Sequence, residues 1–239
     1  MNRSRTERDK LLAAYEGLRV ADVRDGMDTL GMHYIGSMSP QIRPLWRTRA
    51  FGIARTCRYV PYQGTIPKME PEQYWEWVGR YFRDVCPYPW MDEIQPGDFC
   101  VIDLSGVNSG LMGSNNTLDG IRRGVRGYVT SDGVRDTDEI ILQKVPFWSA
   151  YCSQNMVQGW IKYDSMNIPV SVGGVVVNPG DVVVADGDGV IVVPRAAALD
   201  VAKWAHEEHQ RDKAGRRRHY EALGMKPDET VLDDEEAPR

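Results

Sequence analysis

Apolar residues recur along this chain at two spacings, and the spacing switches several times. In VADVRDGMDTLG (20–31), Val20, Val23, Met27 and Leu30 fall three and four residues apart, on one face of a helix, and Gly31 is a residue that closes such a helix. The preceding RTERDKLLAAYE (5–16) predicts another helix, stopped at Gly17. IRPLW (42–46) and FGIARTCRYV (51–60) are instead rich in branched and aromatic residues and predict strands.

From residue 99 the two patterns alternate. FCVIDLSG predicts a strand, NNTLDGIRRG a helix, VRGYVTSDG a strand, DTDEIILQK a helix and VPFWSAYC a strand. That order argues for an α/β domain with parallel pairings. QPGDFCVID (95–103) and NPGDVVVAD (178–186) echo each other, each predicting a hairpin-like turn that feeds a short strand ending in aspartate. The second continues through Gly187-Asp188-Gly189 into a return strand, GVIVVP. The chain is helical again from 196, amphipathic at first and then highly charged, and the terminal DDEEAPR is expected to be solvated. Residues 61–92, with Trp75, Trp77 and Trp90, predict a short helix framed by loops. Two readings of that segment stay open: a packed elaboration of the main domain, or a lid or subunit contact that shapes a site.

Composition narrows the function classes. With 42% hydrophobic residues in 239, the chain can bury a large core. A formal charge of −5, from 29 basic and 34 acidic residues, gives no basic footprint for nucleic acid. Cysteines 57, 86, 100 and 152 form no C-x-x-C pair, as expected in a reducing compartment. No apolar run approaches the roughly 20 residues of a membrane helix, and no signal core follows the charged start. The expectation is a cytoplasmic protein with no nucleic-acid or membrane partner.

The chemistry concentrates in two stretches. In TSDGVRDTDEI (130–140), Asp132-Gly133 is a turn and Asp136-x-x-Glu139 fits a capping box for the following helix. The chemical alternative is that Arg135 grips an anion while Asp136 holds a metal. In GSNNTLDGIRRG (113–124), Ser114 fits an N-cap and Gly124 a stop, so the helix start offers unpaired amides to a carboxylate or phosphate. His206 and His209, three apart on a helix, are a possible metal pair with no third ligand near in sequence. Gly187-Asp188-Gly189 has no following helix and is no dinucleotide fingerprint, and Arg216 to Arg218 fit a solvated helix face.

Taken together, Gly113-Ser114-Asn115-Asn116 followed after 18 residues by Arg135-Asp136 resembles the signature of one family. It contains class II 4-hydroxy-4-methyl-2-oxoglutarate (4-carboxy-4-hydroxy-2-oxoadipate) aldolases and the RraA-like regulators of ribonuclease E. LRVADVRDGMDTLG is similar to the family's opening helix, GVRGYVTSDGVRDTDEI to its central strand and metal turn, and IPVSVGGVVVNPGDVVVADGDGVIVVP to its closing hairpin.

The resemblance implies a single RraA-like domain over 1–239, with a core at about 18–195, the 61–92 elaboration and a 196–239 helical tail. The implied fold is a layered β/β/α arrangement of the swivelling phosphohistidine-domain type, assembled as a homotrimer or a dimer of trimers. It implies that Asp136 holds Mg²⁺ or Mn²⁺ and that Arg135 and the backbone of Gly113, Ser114, Asn115 and Asn116 bind a 2-oxo acid. An acid of the neighbouring subunit's C-terminal region, Glu207 or Glu208, would assist. The implied reaction is retro-aldol cleavage of a 4-hydroxy-2-oxo acid, with oxaloacetate decarboxylation as a companion activity. A non-catalytic regulator of a ribonuclease, or a lyase or hydratase of sugar-acid catabolism, is the alternative. This chain departs from the family's aldolases at Ser114, where they usually carry an acid.

Overall fold

A computed structural model describes residues 3–232; the terminal DDEEAPR lies outside the described residues. Helices α1 (Arg3–Ala14) and α2 (Val20–Thr29) open the chain, with Gly17 at φ +79° between them. Asp22 accepts the Arg19 amide at 2.8 Å and so caps α2. Strands β1 (Arg43–Pro44) and β2 (Ala50–Pro61) come next, then α3 (Pro71–Asp84), a 3-10 turn at Pro89–Glu93, and β3 (Asp98–Asp103). The chain continues through α4 (Ser114–Arg123), β4 (Gly127–Thr130), β5 (Gly133–Val134) and α5 (Thr137–Leu142). Strands β6 (Phe147–Ser149), β7 (Tyr151–Cys152) and β8 (Ile161–Met166) precede two hairpins, β9 (Val170–Val172) with β10 (Val175–Val177) and β11 (Val182–Asp186) with β12 (Gly189–Val193). Helix α6 (Ala198–Leu223) ends the fold.

The main sheet runs β1-β6-β4-β3-β2-β11-β12, and its centre, β2, β3, β4 and β6, is parallel as the alternation predicts. The long β2 is shared along one edge: residues 50–53 pair with β11 and residues 57–61 with β8. The turn at 95–98 is a correction to the hairpin expectation, since β3 runs parallel to both neighbours. The local turn itself is the same at both Pro-Gly-Asp sites, because Asp98 accepts the Gln95 amide at 2.8 Å and Asp181 the Asn178 amide at 2.9 Å. The two aspartates then take different partners: Asp98 is buried and paired with Arg8 and Arg55, whereas Asp181 accepts the Arg195 amide beyond β12.

Side-chain alternation along the strands separates the layers. Cys100, Ile102, Tyr128 and Phe147 point to the face that also holds Tyr81, Trp90 and Ile140, while Phe99, Val101, Val129 and Trp148 pack on the β9–β10 hairpin. Val182, Val184, Ile191 and Val193 bury against α1, α2 and α6. This is the layered α/β fold with an added C-terminal helix that the resemblance implies. Among the described residues no helix is long and apolar enough to cross a membrane.

Candidate functional site

The loops that leave β3 and β4 meet at the carboxyl ends of the parallel strands, where ligands of α/β sheets commonly sit. Asp132, buried after β4, accepts the Leu104 amide at 2.9 Å and ties one loop to the other; burial raises its carboxyl above the usual range. Beyond it a small parallel arrangement joins Gly110, β5 and β7. The Arg135 amide bonds Met112 O at 3.1 Å, Gly110 N bonds Asn155 O at 3.0 Å and Ser153 N bonds Val134 O at 2.8 Å. The loop after β3 therefore bonds the Arg135 backbone directly, and the 153–155 loop holds its neighbours Gly110 and Val134.

Helix α4 starts against this arrangement. Tyr128 holds it to β4 by donating to Thr117 O at 2.9 Å, and Gly124, at φ +107°, stops it as expected. Gly113, rather than Ser114, occupies the N-cap position, so Ser114 is the first helical residue. The cap comes from elsewhere in the chain. Asp136 Oδ2 accepts the Ser114 amide at 3.2 Å and its hydroxyl at 3.4 Å, while Oδ1 accepts Arg135 Nε at 3.0 Å.

This overturns the capping-box reading of Asp136-x-x-Glu139. Asp136 precedes α5 but makes no side-chain cap bond to it. Its backbone is left-handed, φ +54° and ψ +42°, a conformation that costs most non-glycine residues about 1–2 kcal/mol. The left-handed turn carries the carboxylate away from its own helix and onto the start of α4. Such strain persists where the surroundings enforce it and commonly marks functional sites.

Two glycines make room for the pair. A Cβ on Gly110 would lie 2.8 Å from Arg135 Cβ, and one on Gly113 would overlap Asp136 Oδ2 and come within 3.4 Å of Arg135 Cγ. Arg135 and Asp136 are each about one third exposed and line two adjoining cavities. The larger, about 550 Å³, is polar, with Asn108, Ser153, Gln154 and Asn155 on its wall. The smaller, about 250 Å³, is lined by Gly113, Asn115 and Asn116 from the α4 start and by Phe82, Tyr88, Leu111, Met156 and Val157. The amides of Asn115 and Asn116 lie in the first helical turn, where no intrahelical acceptor exists.

The structure thus brings together all six predicted site residues, Gly113, Ser114, Asn115, Asn116, Arg135 and Asp136. Sequence reasoning did not find the 153–157 loop, whose clustered Ser, Gln and Asn side chains after a strand were its only signal, nor Tyr88 and Phe82. Tyr88 donates to Leu111 O at 3.0 Å, and burial holds its phenol well above the ordinary value. The 61–92 segment therefore walls the smaller cavity through its α3 end.

The histidine pair is not a metal site here: His206 bonds Ala14 O at 3.0 Å and His209 bonds Asp22 at 2.9 Å. Among the described residues no three His, Cys, Asp or Glu side chains converge on one point. A cation at Asp136 would depend on a single carboxylate, water and substrate oxygens. That donor set suits Mg²⁺, which keeps several waters and takes one or two protein carboxylates. The partly exposed carboxylate, opening onto both cavities, fits such an ion.

The site is therefore an arginine–aspartate pair at the carboxyl ends of the parallel strands of a layered α/β domain, beside a helix start. The RraA-like family, described as Aldolase/RraA, matches residues 20–192, and the chain belongs to it. A Halalkalibacterium halodurans protein, provisionally named a 4-hydroxy-4-methyl-2-oxoglutarate aldolase, is 31% identical over 53% of this chain and 60% of its own length. The chain thus spans about three fifths of that relative. Streptomyces coelicolor RraAS2, described as an unusual member of the RNase ES inhibitor RraA family, is 25% identical, with a TM-score of 0.67 over 87% of this chain and 96% of its own. An uncharacterized Pseudomonas syringae protein shares the fold at 24% identity, with a TM-score of 0.71 over 91% of this chain and 94% of its own.

Proposed function

We propose that this protein is a lyase that cleaves a 4-hydroxy-2-oxo acid by retro-aldol chemistry, with oxaloacetate decarboxylation as a companion activity. The observation that supports the reading best is the Arg135–Asp136 pair, held at the start of α4 by a strained backbone and two glycines. Arg135 and the Asn115 and Asn116 amides receive the substrate carboxylate, a guanidinium fork and a helix start being matched to that group. Asp136 would hold Mg²⁺ or Mn²⁺, which when bound supplies positive charge beside the 2-oxo group. The C4 hydroxyl gives up its proton, the C3–C4 bond breaks, and its electron pair moves onto the 2-oxo acid as an enolate. A proton returned to C3 completes pyruvate or a similar acid.

Ser114 changes the balance around Asp136. Its hydroxyl lies 3.4 Å from Oδ2, where a carboxylate would place like charge against like. The site therefore keeps a single carboxylate, which favours a substrate range different from that of relatives with an acid here. Assembly into a homotrimer or dimer of trimers belongs to the same proposal. Helix α6, which bears Glu207 and Glu208, packs on α2 and α1, so a contribution from it to this site would come across a subunit boundary.

The RraAS2 likeness favours a second reading, a regulator that docks on a ribonuclease without chemistry. Pyruvate release from a panel of 4-hydroxy-2-oxo acids with Mg²⁺, comparing wild type with Asp136→Ala, separates the two. The lyase reading requires release that Asp136→Ala abolishes. Absence of release, together with stoichiometric capture of a ribonuclease, would establish the regulator.

A further inference from the structure

The smaller cavity has a mixed lining. Arg135, Asp136 and the α4 start share it with the apolar side chains of Phe82, Leu111, Met156 and Val157. Among the described residues lining it, Arg135 is the single cation. The Tyr88 hydroxyl donates to Leu111 O and also meets the Asn116 side chain, so both of its neighbours are protein groups. A substrate whose 2-oxo acid head occupies Arg135 and whose chain enters this cavity, rather than the larger polar one that shares Arg135 and Asp136, lays its C4 substituent against these apolar side chains. A second carboxylate there would be desolvated without a partner, which is strongly unfavourable, whereas an alkyl or aryl group gains roughly 25 cal/mol for each Å² it removes from water.

Resting on the proposed lyase reading, we infer that the C4 substituent of the substrate is an uncharged alkyl or aryl group, selected by Phe82, Leu111, Met156 and Val157. The α3 segment is then the specificity element of the site. Cleavage of such a substrate, for example 4-hydroxy-2-oxo-4-phenylbutanoate, gives pyruvate and benzaldehyde. The hydroxyl oxygen on C4 loses its proton, the C3–C4 bonding pair becomes the enolate, C4 becomes the aldehyde carbonyl carbon, and C3 gains a proton. The reaction is redox-neutral and needs no co-reactant.

The test uses two uncleavable 2-oxo acids that differ only at C4, titrated calorimetrically into the full-length protein with Mg²⁺. Wild type is expected to bind 2-oxo-4-phenylbutanoate at least 10-fold more tightly than 2-oxoglutarate. Phe82→Ala should erase most of that ratio, and Met156→Arg, which supplies the missing cation, should invert it. Equal or tighter binding of 2-oxoglutarate, binding of neither acid, or a ratio unmoved by both variants would overturn the inference. Pyruvate release from 4-hydroxy-2-oxo-4-phenylbutanoate and from 4-hydroxy-2-oxoglutarate is measured alongside. The expected binding preference without release from either would remove the lyase reading and leave the apolar arm standing. Release confined to 4-hydroxy-2-oxoglutarate, with the binding preference reversed, would do the opposite.

Discussion

Gly113 and Asp136 touch across 22 residues of intervening chain: the carboxylate rests where a side chain on Gly113 would have to be, and it caps the helix that Gly113 begins. The alanine methyl of Gly113→Ala would displace Asp136 and, through it, Arg135. Pyruvate release is expected to fall roughly 100-fold, the scale of an ångström's misplacement in a catalytic site. A thermal melt of the same variant should show a much smaller relative change.

The left-handed backbone of Asp136 separates fold from function. Asparagine tolerates that conformation, so Asp136→Asn should retain wild-type stability within about 0.5 kcal/mol while losing activity. Asp136→Ala must bear the strain and lose the cap on α4, and should cost about 1–2 kcal/mol. Urea denaturation of both variants checks the order.

Arg135 is fixed at its backbone by Met112 O and at its side chain by Asp136. Arg135→Lys keeps the charge and loses the planar geometry, so binding of oxalate, a planar dicarboxylate probe, should weaken by about 1.5–3 kcal/mol. Calorimetric titration measures this directly. An unchanged affinity would mean that the guanidinium does not contact the ligand.

Away from the site, Asp22 sets part of the acid stability. Burial raises its pKa, but hydrogen bonds and charge from Arg19, with His209 nearby, outweigh burial and hold it below the ordinary 3.8. A depressed folded value means that its stabilisation is present above pH 3.8 and is lost as pH falls through the folded value. Asp22→Asn should flatten the acid limb of a stability–pH profile and cost about 2–3 kcal/mol at pH 7, where charge-assisted bonds are lost.

Much of this molecule was legible from the apolar pattern. Apolar-rich runs located β2, β3, β4 and the β11–β12 hairpin, strands buried on both faces, and three-to-four residue spacing located α4, which buries one face. The parallel course of β3 was not legible at Gln95–Asp98, since the same turn serves a hairpin and a crossover. Asp136 shows why pattern reading failed at the site: D-x-x-E signals a cap only if the aspartate backbone is extended, and here it is left-handed. Phe82, Tyr88 and the 153–157 loop were invisible because their common wall exists only after α3 and β7 pack around Leu111.

A divalent cation at Asp136, beside Arg135 and facing a 2-oxo acid, is open to anomalous diffraction from crystals soaked with Mn²⁺ and oxalate. A manganese peak at Asp136 is expected, with oxalate between it and the Arg135 guanidinium, and no such peak in Asp136→Asn. Oxalate bound without manganese, or manganese bound elsewhere with Asp136 still capping α4, would contradict this placement.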